Sequence, residues 1–351
     1  EEMKKRLVSS EGYSHSKGLL EARIAISEYC SKKHIPNVTP DDIYTGNGVS
    51  ELITLTMNGL LNNGDEMLVP APDYPLWTAS VTLAGGNAVH YICDESSNWY
   101  PDIEDIRSKI TDKTKGIVVI NPNNPTGALY PKSLLEQIVE IAREYDLIIF
   151  ADEIYDRLVF DGKEHISIAS LAPDRPVITF NGLSKSHLMA GYRIGWMSIS
   201  GDKSNIEDYI AGINLLSSMR LCSNVPGQSI IPMAIDMLDS SDEMIVPGGR
   251  VYEQREAIYE AICDIPGLSA VKPDAAFYIF PKMDVKKFNI IDDEKFALDL
   301  LKEKQILITH GGGFHWTNPD HFRIVYLPDV NMIEEAAVKM KDFFANYKQK
   351  V

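Results

Sequence analysis

The chain is short of several things that would have pointed elsewhere. Its 351 residues include only four cysteines, Cys30, Cys93, Cys222 and Cys263, widely spaced and without a CxxC pair. That spacing argues against a disulfide scaffold or a thiolate metal cluster and predicts free thiols in a reducing compartment, the cytoplasm. No run approaches the roughly 18 uninterrupted apolar residues of a membrane span, and no signal-peptide pattern opens the chain. Basic residues are also few: 34 Lys plus Arg stand against 50 Asp plus Glu, a formal net charge of -16. Such a surface repels phosphate backbones and anionic lipid, so neither nucleic acid nor a membrane is an expected partner. Internal repeats and low-complexity tracts are absent as well. So are the GxGxxG fingerprint of dinucleotide sites and the Gly-Lys-Ser/Thr ending of a nucleotide-triphosphate loop.

What is present is alternation. From about 46 to 200, the apolar runs "EMLVP" (66–70), "KGIVVIN" (115–121), "DLIIFAD" (146–152), "PVITFNG" (176–182) and "IGWMSI" (194–199) read as strands. Between them lie helical patterns such as 131–146, where Pro131 suits a first turn. The intervals ending at 121, 152 and 182 are each about thirty residues, the length of a strand-helix-strand unit. Apolar strands with such crossovers predict a mostly parallel sheet buried on both faces, an α/β domain. Beyond 200 the texture changes. A helical stretch over 203–240 is followed by a linking helix over 243–262, interrupted near Pro247 and a glycine pair. Short strands in "AFYIFPKMD", "ILITHGGG" and "HFRIVYLP" and a terminal helix over about 331–348 then predict a smaller α+β domain. The predicted division is 1–45 as an N-terminal part of the small domain with a dimer contact, 46–250 as the large domain, and 251–351 as the C-terminal small domain.

Several strand ends carry chemistry. In "FNGLSKSHLMAGYRIGW" (180–196), Lys185 follows an apolar strand among small residues, and Arg193 follows it. A lysine that forms an imine needs a reachable, sheltered amine, and an arginine offers a donor fork to a phosphate. The competing reading is a solvated lysine at a strand end. In "TGNGVSELITLTMNGLL" (45–61), Gly46 and Gly48 permit a tight turn into a helix, whose first N–H groups at Val49 and Ser50 suit a small anion; an ordinary capped helix competes. Asp152 ends the strand of "IIFADEIYDRL" (148–158), where open α/β sheets place ligands. There it can keep a pyridine nitrogen protonated, with Tyr155 nearby; helix capping by Asp152 or Glu153 competes. "NPNNPTG" (121–127) is a rigid turn in which Asn124 presents its amide or closes an Asx turn. Tyr74 in "PAPDYPLW" (70–77) can stack on a ring, though Tyr74 and Trp77 can equally be packing residues. Arg323 in "PDHFRIVYLPD" (319–329) needs an anionic partner, either a substrate carboxylate or an internal acid.

Together these segments resemble fold-type I pyridoxal phosphate (PLP) enzymes, specifically class I aminotransferases and, within them, alanine aminotransferases of bacterial and archaeal type. "NPNNPTG", "ADEIY" and "GLSKSHLMAGYRIGW" stand in the family order, and "SSMRLCSNVPGQ" (217–228) and "PDHFRIVYLP" look like the alanine-preferring branch. The resemblance covers essentially the whole chain, although the family's opening segment, part of its substrate lid, has no counterpart here.

The resemblance implies the following roles. Lys185 is the Schiff-base lysine and general base. Asp152 partners the ring nitrogen, Asn124 and Tyr155 contact the phenolic oxygen, and Tyr74 stacks on the ring. Gly48, Val49, Ser50, Ser184 and Arg193 surround the phosphate, while Asn124 and Arg323 bind substrate. Tyr13 in "EGYSHSKGL" reaches the phosphate of a neighbouring subunit, hence a homodimer with shared active sites. Gly182 departs from relatives that carry a phosphate-binding serine there, and Arg220 is a further pocket candidate. The implied reaction converts L-alanine and 2-oxoglutarate to pyruvate and L-glutamate, with no metal. The alternatives are an aspartate, aromatic or branched-chain aminotransferase, or a PLP-dependent lyase. A PLP-binding regulator would be expected to bring a DNA-binding module or to lack the lysine.

Overall fold

The computed structural model describes residues 1–237 and 242–350. Eight strands form the main sheet: β1 (Ile43–Asn47), β2 (Glu66–Ala71), β3 (Asn87–Asp94), β4 (Tyr100–Pro101), β5 (Thr114–Ile120), β6 (Ile148–Asp152), β7 (Val177–Gly182) and β8 (Ile194–Ser200), in spatial order β1-β8-β7-β6-β5-β2-β3-β4. Pairing from β3 through β2, β5 and β6 to β7 is parallel. β8 runs antiparallel to both β7 and β1. The five strands expected from apolar runs are all present; β1, β3 and the two-residue β4 are additions. β3 lies near the sheet edge, where alternating exposure breaks up its apolar pattern.

β6, β7 and β8 are buried along their length and β5 from Gly116 onward, as a sheet covered on both faces requires. The helix Lys132–Glu144 covers one face, burying Leu134, Leu135, Ile138, Val139 and Ile141. Its first helical residue is Lys132. Pro131, with ψ 155, caps the helix instead of occupying its first turn. On the other face the helix Val49–Leu60 buries Leu52, Ile53, Leu55 and Met57.

The C-terminal part carries two small sheets. One has the order β10 (Tyr278–Ile279), β13 (Phe322–Val325), β12 (Thr309–His310); the other pairs β9 (Leu268–Ser269) with β11 (Lys282–Met283). The helices Arg250–Cys263 and Val330–Asn346 pack on them. The linking helix therefore starts after Gly248 and Gly249, not at 243. The helical reading of 203–240 resolves into Glu207–Met219, Val225–Gln228 and Ile231–Asp236, and positions 238–240 lie outside the described residues. Among the described residues, no helix is long and apolar enough to cross a membrane, and all four cysteines are free thiols.

In the N-terminal segment, the helix Leu20–Lys32 buries Ala22, Ile26, Tyr29 and Cys30 in the core cluster beneath the large sheet, which Phe280 and Phe314 of the C-terminal part also join. Its apolar face finds the helix Ile231–Asp236 there, through Ile231 and Ile235. Conversely, Ile154, Tyr155, Leu158 and Phe160 pack with C-terminal residues, so the two cores meet just beyond the end of β6.

Candidate active site

Strand direction gathers the site. β1, β2, β5, β6 and β7 all point their carboxyl ends to one edge, and β8, running the opposite way, starts there. Asp152 ends β6, Lys185 sits in the short helix Leu183–Ser186 after β7, and Asn124 lies in the turn after β5. Tyr74 follows β2, Val49 and Ser50 open the helix after β1, and Arg193 immediately precedes β8. These side chains line a cavity of about 240 Å³ together with Tyr155, Ser184, Arg323, Ile120, Ile154, Ala190 and Tyr278. Carboxyl ends of parallel strands are where an open α/β sheet offers a ligand crevice.

At one end stands an anion cradle. No side chain caps the helix Val49–Leu60, so its first N–H groups face the cavity as partial positive charge. The Arg193 guanidinium donates to Ser50 Oγ (3.0 Å) and to the Asn47 carbonyl (3.2 Å), and none of its contacts among the described residues is a carboxylate. Gly48 does not itself line the cavity. Its φ is +83°, and a Cβ there would lie 2.1 Å from Arg193 Nη2, so a glycine is required for the arginine to close over the turn. At Gly182 a Cβ would meet the Ile194 carbonyl at 2.5 Å, so the close β7–β8 pairing excludes a serine at that position.

Asp152 forms the buried floor, 3% exposed. Its Oδ2 accepts from Trp77 Nε1 (3.2 Å) and its Oδ1 from the Ile154 N–H (3.4 Å). Burial pushes this carboxyl up to about 6, against the opposing pull of Trp77, Ile154 and the Lys185 charge. A buried carboxylate with so little neutralisation is costly unless a cation joins it. Neither Asp152 nor Glu153 caps a helix, because the chain turns after β6. Glu153 points away, accepting from Ser167 Oγ (2.9 Å) and Ile168 N–H (3.2 Å).

Lys185 makes no hydrogen bond or ion pair among the described residues. Its ammonium lies 5.7 Å from the Tyr155 ring centroid and 5.5 Å from that of Phe277. This is a partly buried amine facing the cavity, near Asp152 but not paired with it, and not a solvated strand-end lysine.

Across the cavity, Arg323 Nη1 donates to Asn124 Oδ1 (3.0 Å). The guanidinium lies between the rings of Tyr278 and Phe314, 4.6 Å from each centroid. Its Nε is buried without a hydrogen-bond partner, and no acid pairs with it among the described residues. The internal salt bridge that competed for Arg323 is therefore not formed there. Burial lowers its affinity for the proton below the usual arginine range, and an incoming carboxylate would reverse that.

Two predicted residues lie elsewhere. Tyr13 is 82% exposed and does not line the cavity of its own chain. Arg220 donates to Glu51 Oε2 (2.7 Å), the Thr45 carbonyl (3.1 Å) and the Ser16 carbonyl (2.8 Å); its charge is used in tying the N-terminal segment to β1. Sequence reasoning missed Tyr278 altogether and left open whether Trp77 does more than pack. Trp77 lies three residues beyond Tyr74 and carried a usable signal, an indole N–H that needs an acceptor when buried.

The class I and II aminotransferase family profile matches residues 4–340. The chain is 57% identical to the glutamate-pyruvate aminotransferase AlaA of Haemophilus influenzae over 345 residues, 98% of this chain and 85% of that protein. It is 50% identical to the alanine aminotransferase of Mycobacterium tuberculosis over 341 residues, covering 97% and 80%. Among solved structures, an aminotransferase from Escherichia coli superposes with a TM-score of 0.98 at 56% identity, over 99% of this chain and 86% of that one. The alanine aminotransferase of Pyrococcus furiosus superposes with a TM-score of 0.92 at 41% identity, over 98% and 86%. The profile match over nearly the whole chain and the identity to these relatives show that this chain belongs to the class I and II aminotransferases.

Proposed function

We propose that the protein transfers the amino group of L-alanine to 2-oxoglutarate, giving pyruvate and L-glutamate, with pyridoxal phosphate as cofactor. The observation that carries this reading is the division of charge in one cavity: Arg193 at one end, Asp152 on the floor and Arg323 opposite, each without an ion-pair partner among the described residues. The donor set fits the cofactor. A phosphate suits Ser50, Arg193 and the uncapped helix start with Val49; Ser184 lies on the same wall. A pyridine nitrogen suits Asp152, whose burial is costly until a cation arrives. A flat ring suits Tyr74, and its phenolic oxygen suits the Asn124 amide and the Tyr155 hydroxyl. Bound there, the cofactor supplies an electrophilic aldehyde and a protonated ring able to accept the electron pair released at the substrate's α-carbon.

The chain's own residues do the rest. Lys185 anchors the cofactor, then, as a free amine, takes the α-proton and returns it as general acid. Asp152 holds the ring nitrogen in its protonated form. Arg323, positioned by Asn124 and the two flanking rings, fixes the α-carboxylate and thereby the orientation of the α-hydrogen. The alternation of amino donor and keto acceptor needs only this one site, used twice.

The preference for alanine is supported by the relatives named for pyruvate and alanine. A panel of amino donors with 2-oxoglutarate tests it. Alanine should be used with the highest kcat/KM, and negligible turnover of alanine and pyruvate would reject it in favour of an aspartate, aromatic or branched-chain preference. Keto-acid release without an amino acceptor would indicate a lyase instead. We further propose a homodimer in which Tyr13 reaches the neighbouring phosphate site. What supports this is the exposure of Tyr13 itself, which leaves its ring available to a second copy. Four free thiols suit a cytoplasmic setting.

A further inference from the structure

Tyr278 is the side chain that touches both halves of the site. Its hydroxyl lies 2.9 Å from the Tyr155 hydroxyl, and the two rings meet edge to face at 5.6 Å and 82°. One of its faces carries the Arg323 guanidinium at 4.6 Å. Both tyrosines are almost fully buried, Tyr155 at 3% and Tyr278 at 5% exposure. β10, which holds Tyr278, pairs directly with β13, which holds Arg323.

Two hydroxyls in contact share one proton between them. If Tyr155 is to donate into the cavity, its oxygen must accept, and Tyr278 is the donor in place. A phenol that accepts a hydrogen bond is the better donor, because the bonds of a chain polarise one another. We infer that Tyr278 is a positioning residue for the reaction: its hydroxyl aims and strengthens the Tyr155 hydroxyl toward the cofactor's phenolic oxygen, while its ring shields Arg323 for the substrate carboxylate. The inference rests on the cofactor placement proposed above and adds a residue that placement does not require.

The two parts separate by substitution. In the holoenzyme, a donor to the phenolic oxygen favours the deprotonated state of the Lys185–cofactor linkage, and so sets the pH midpoint of the visible absorption change. Tyr278→Phe keeps the ring and removes the hydroxyl. The midpoint should rise by about 0.5–1 pH unit, the scale of one neutral hydrogen bond, while KM for 2-oxoglutarate stays within about twofold. Tyr278→Leu should move the midpoint similarly and also raise KM by about fivefold or more, the scale of a lost cation–π contact. In a Tyr155→Phe background, Tyr278→Phe should produce no further midpoint shift.

A Tyr278→Phe midpoint equal to the parent's would overturn the inference, as would additive shifts in the double variant. A parent protein without any visible cofactor band would instead reject the PLP placement itself, so the two failures are distinguishable.

Discussion

Replacing Asp152 with asparagine should expose a conflict between stability and function that can be measured on the cofactor-free protein. The carboxyl of Asp152 is held at about 6 by burial, against an ordinary value of 3.8. The folded chain therefore binds this proton more tightly than the unfolded chain does. Asp152 then contributes stability that is fully present below about 3.8 and is lost as pH rises through about 6. Over the full range this contribution is about 3 kcal/mol, and between pH 5 and pH 8 it is on the order of 1 kcal/mol. Asparagine keeps an acceptor for Trp77 Nε1 and carries no charge at any pH. Whatever its second amide group costs does not vary with pH. Glu153, pushed up to about 8, and His165, pulled down to about 4, titrate in both proteins and cancel.

Urea unfolding of both apo-proteins at equal concentration, at pH 5 and pH 8, checks this. The stability of Asp152→Asn relative to the parent should be higher at pH 8 than at pH 5, by on the order of 1 kcal/mol. A difference that is flat with pH, or larger at pH 5, would refute the argument that burial leaves this carboxylate under-neutralised. The same variant in cofactor-loaded form should lose about a hundredfold or more in turnover, because the charge that is costly in the empty site is the one the ring nitrogen needs.

Other outcomes follow from the same geometry. Gly48→Ala places a methyl against Arg193 Nη2 in a left-handed backbone conformation, and titration of the apo-protein with pyridoxal phosphate should show the cofactor's affinity falling about tenfold or more. Arg323→Leu should raise KM for both alanine and 2-oxoglutarate by about 10- to 100-fold, the worth of a charge-assisted hydrogen bond; a change in kcat alone would count against a carboxylate role. Mixing Lys185→Ala with Tyr13→Ala chains should restore turnover at limiting cofactor, because a hybrid dimer rebuilds one intact site. No recovery in verified hybrids would place Tyr13 outside the shared site.

Much of the site was legible because its residues sit where local patterns end. Asp152, Lys185 and Asn124 each follow an apolar strand, and a strand that stops at a polar residue marks the sheet edge without any knowledge of neighbours. Gly48 was visible for a similar reason, although its close approach to Arg193 was not. β1 and β3 were not legible as strands. β1 is short and carries Thr45, Gly46 and Asn47, and β3 carries His90 and Asp94 near an exposed edge, so neither shows the unbroken apolar run of a central strand.

The sequence by itself determined which chemical groups the protein has and that a parallel sheet would present them, since strand periodicity and strand-end residues depend on near neighbours along the chain. Only the tertiary structure decided which charges remain free for a ligand. Arg220 and Arg323 look alike in the sequence, yet Arg220 is taken up by Glu51 while Arg323 is left between two rings with Asn124. Trp77 under Asp152 and Tyr278 against Tyr155 were likewise settled by contacts between distant segments. The physical reason is the same in each case: burial and pairing are properties of what folds against a side chain, and the chain brings those partners from elsewhere.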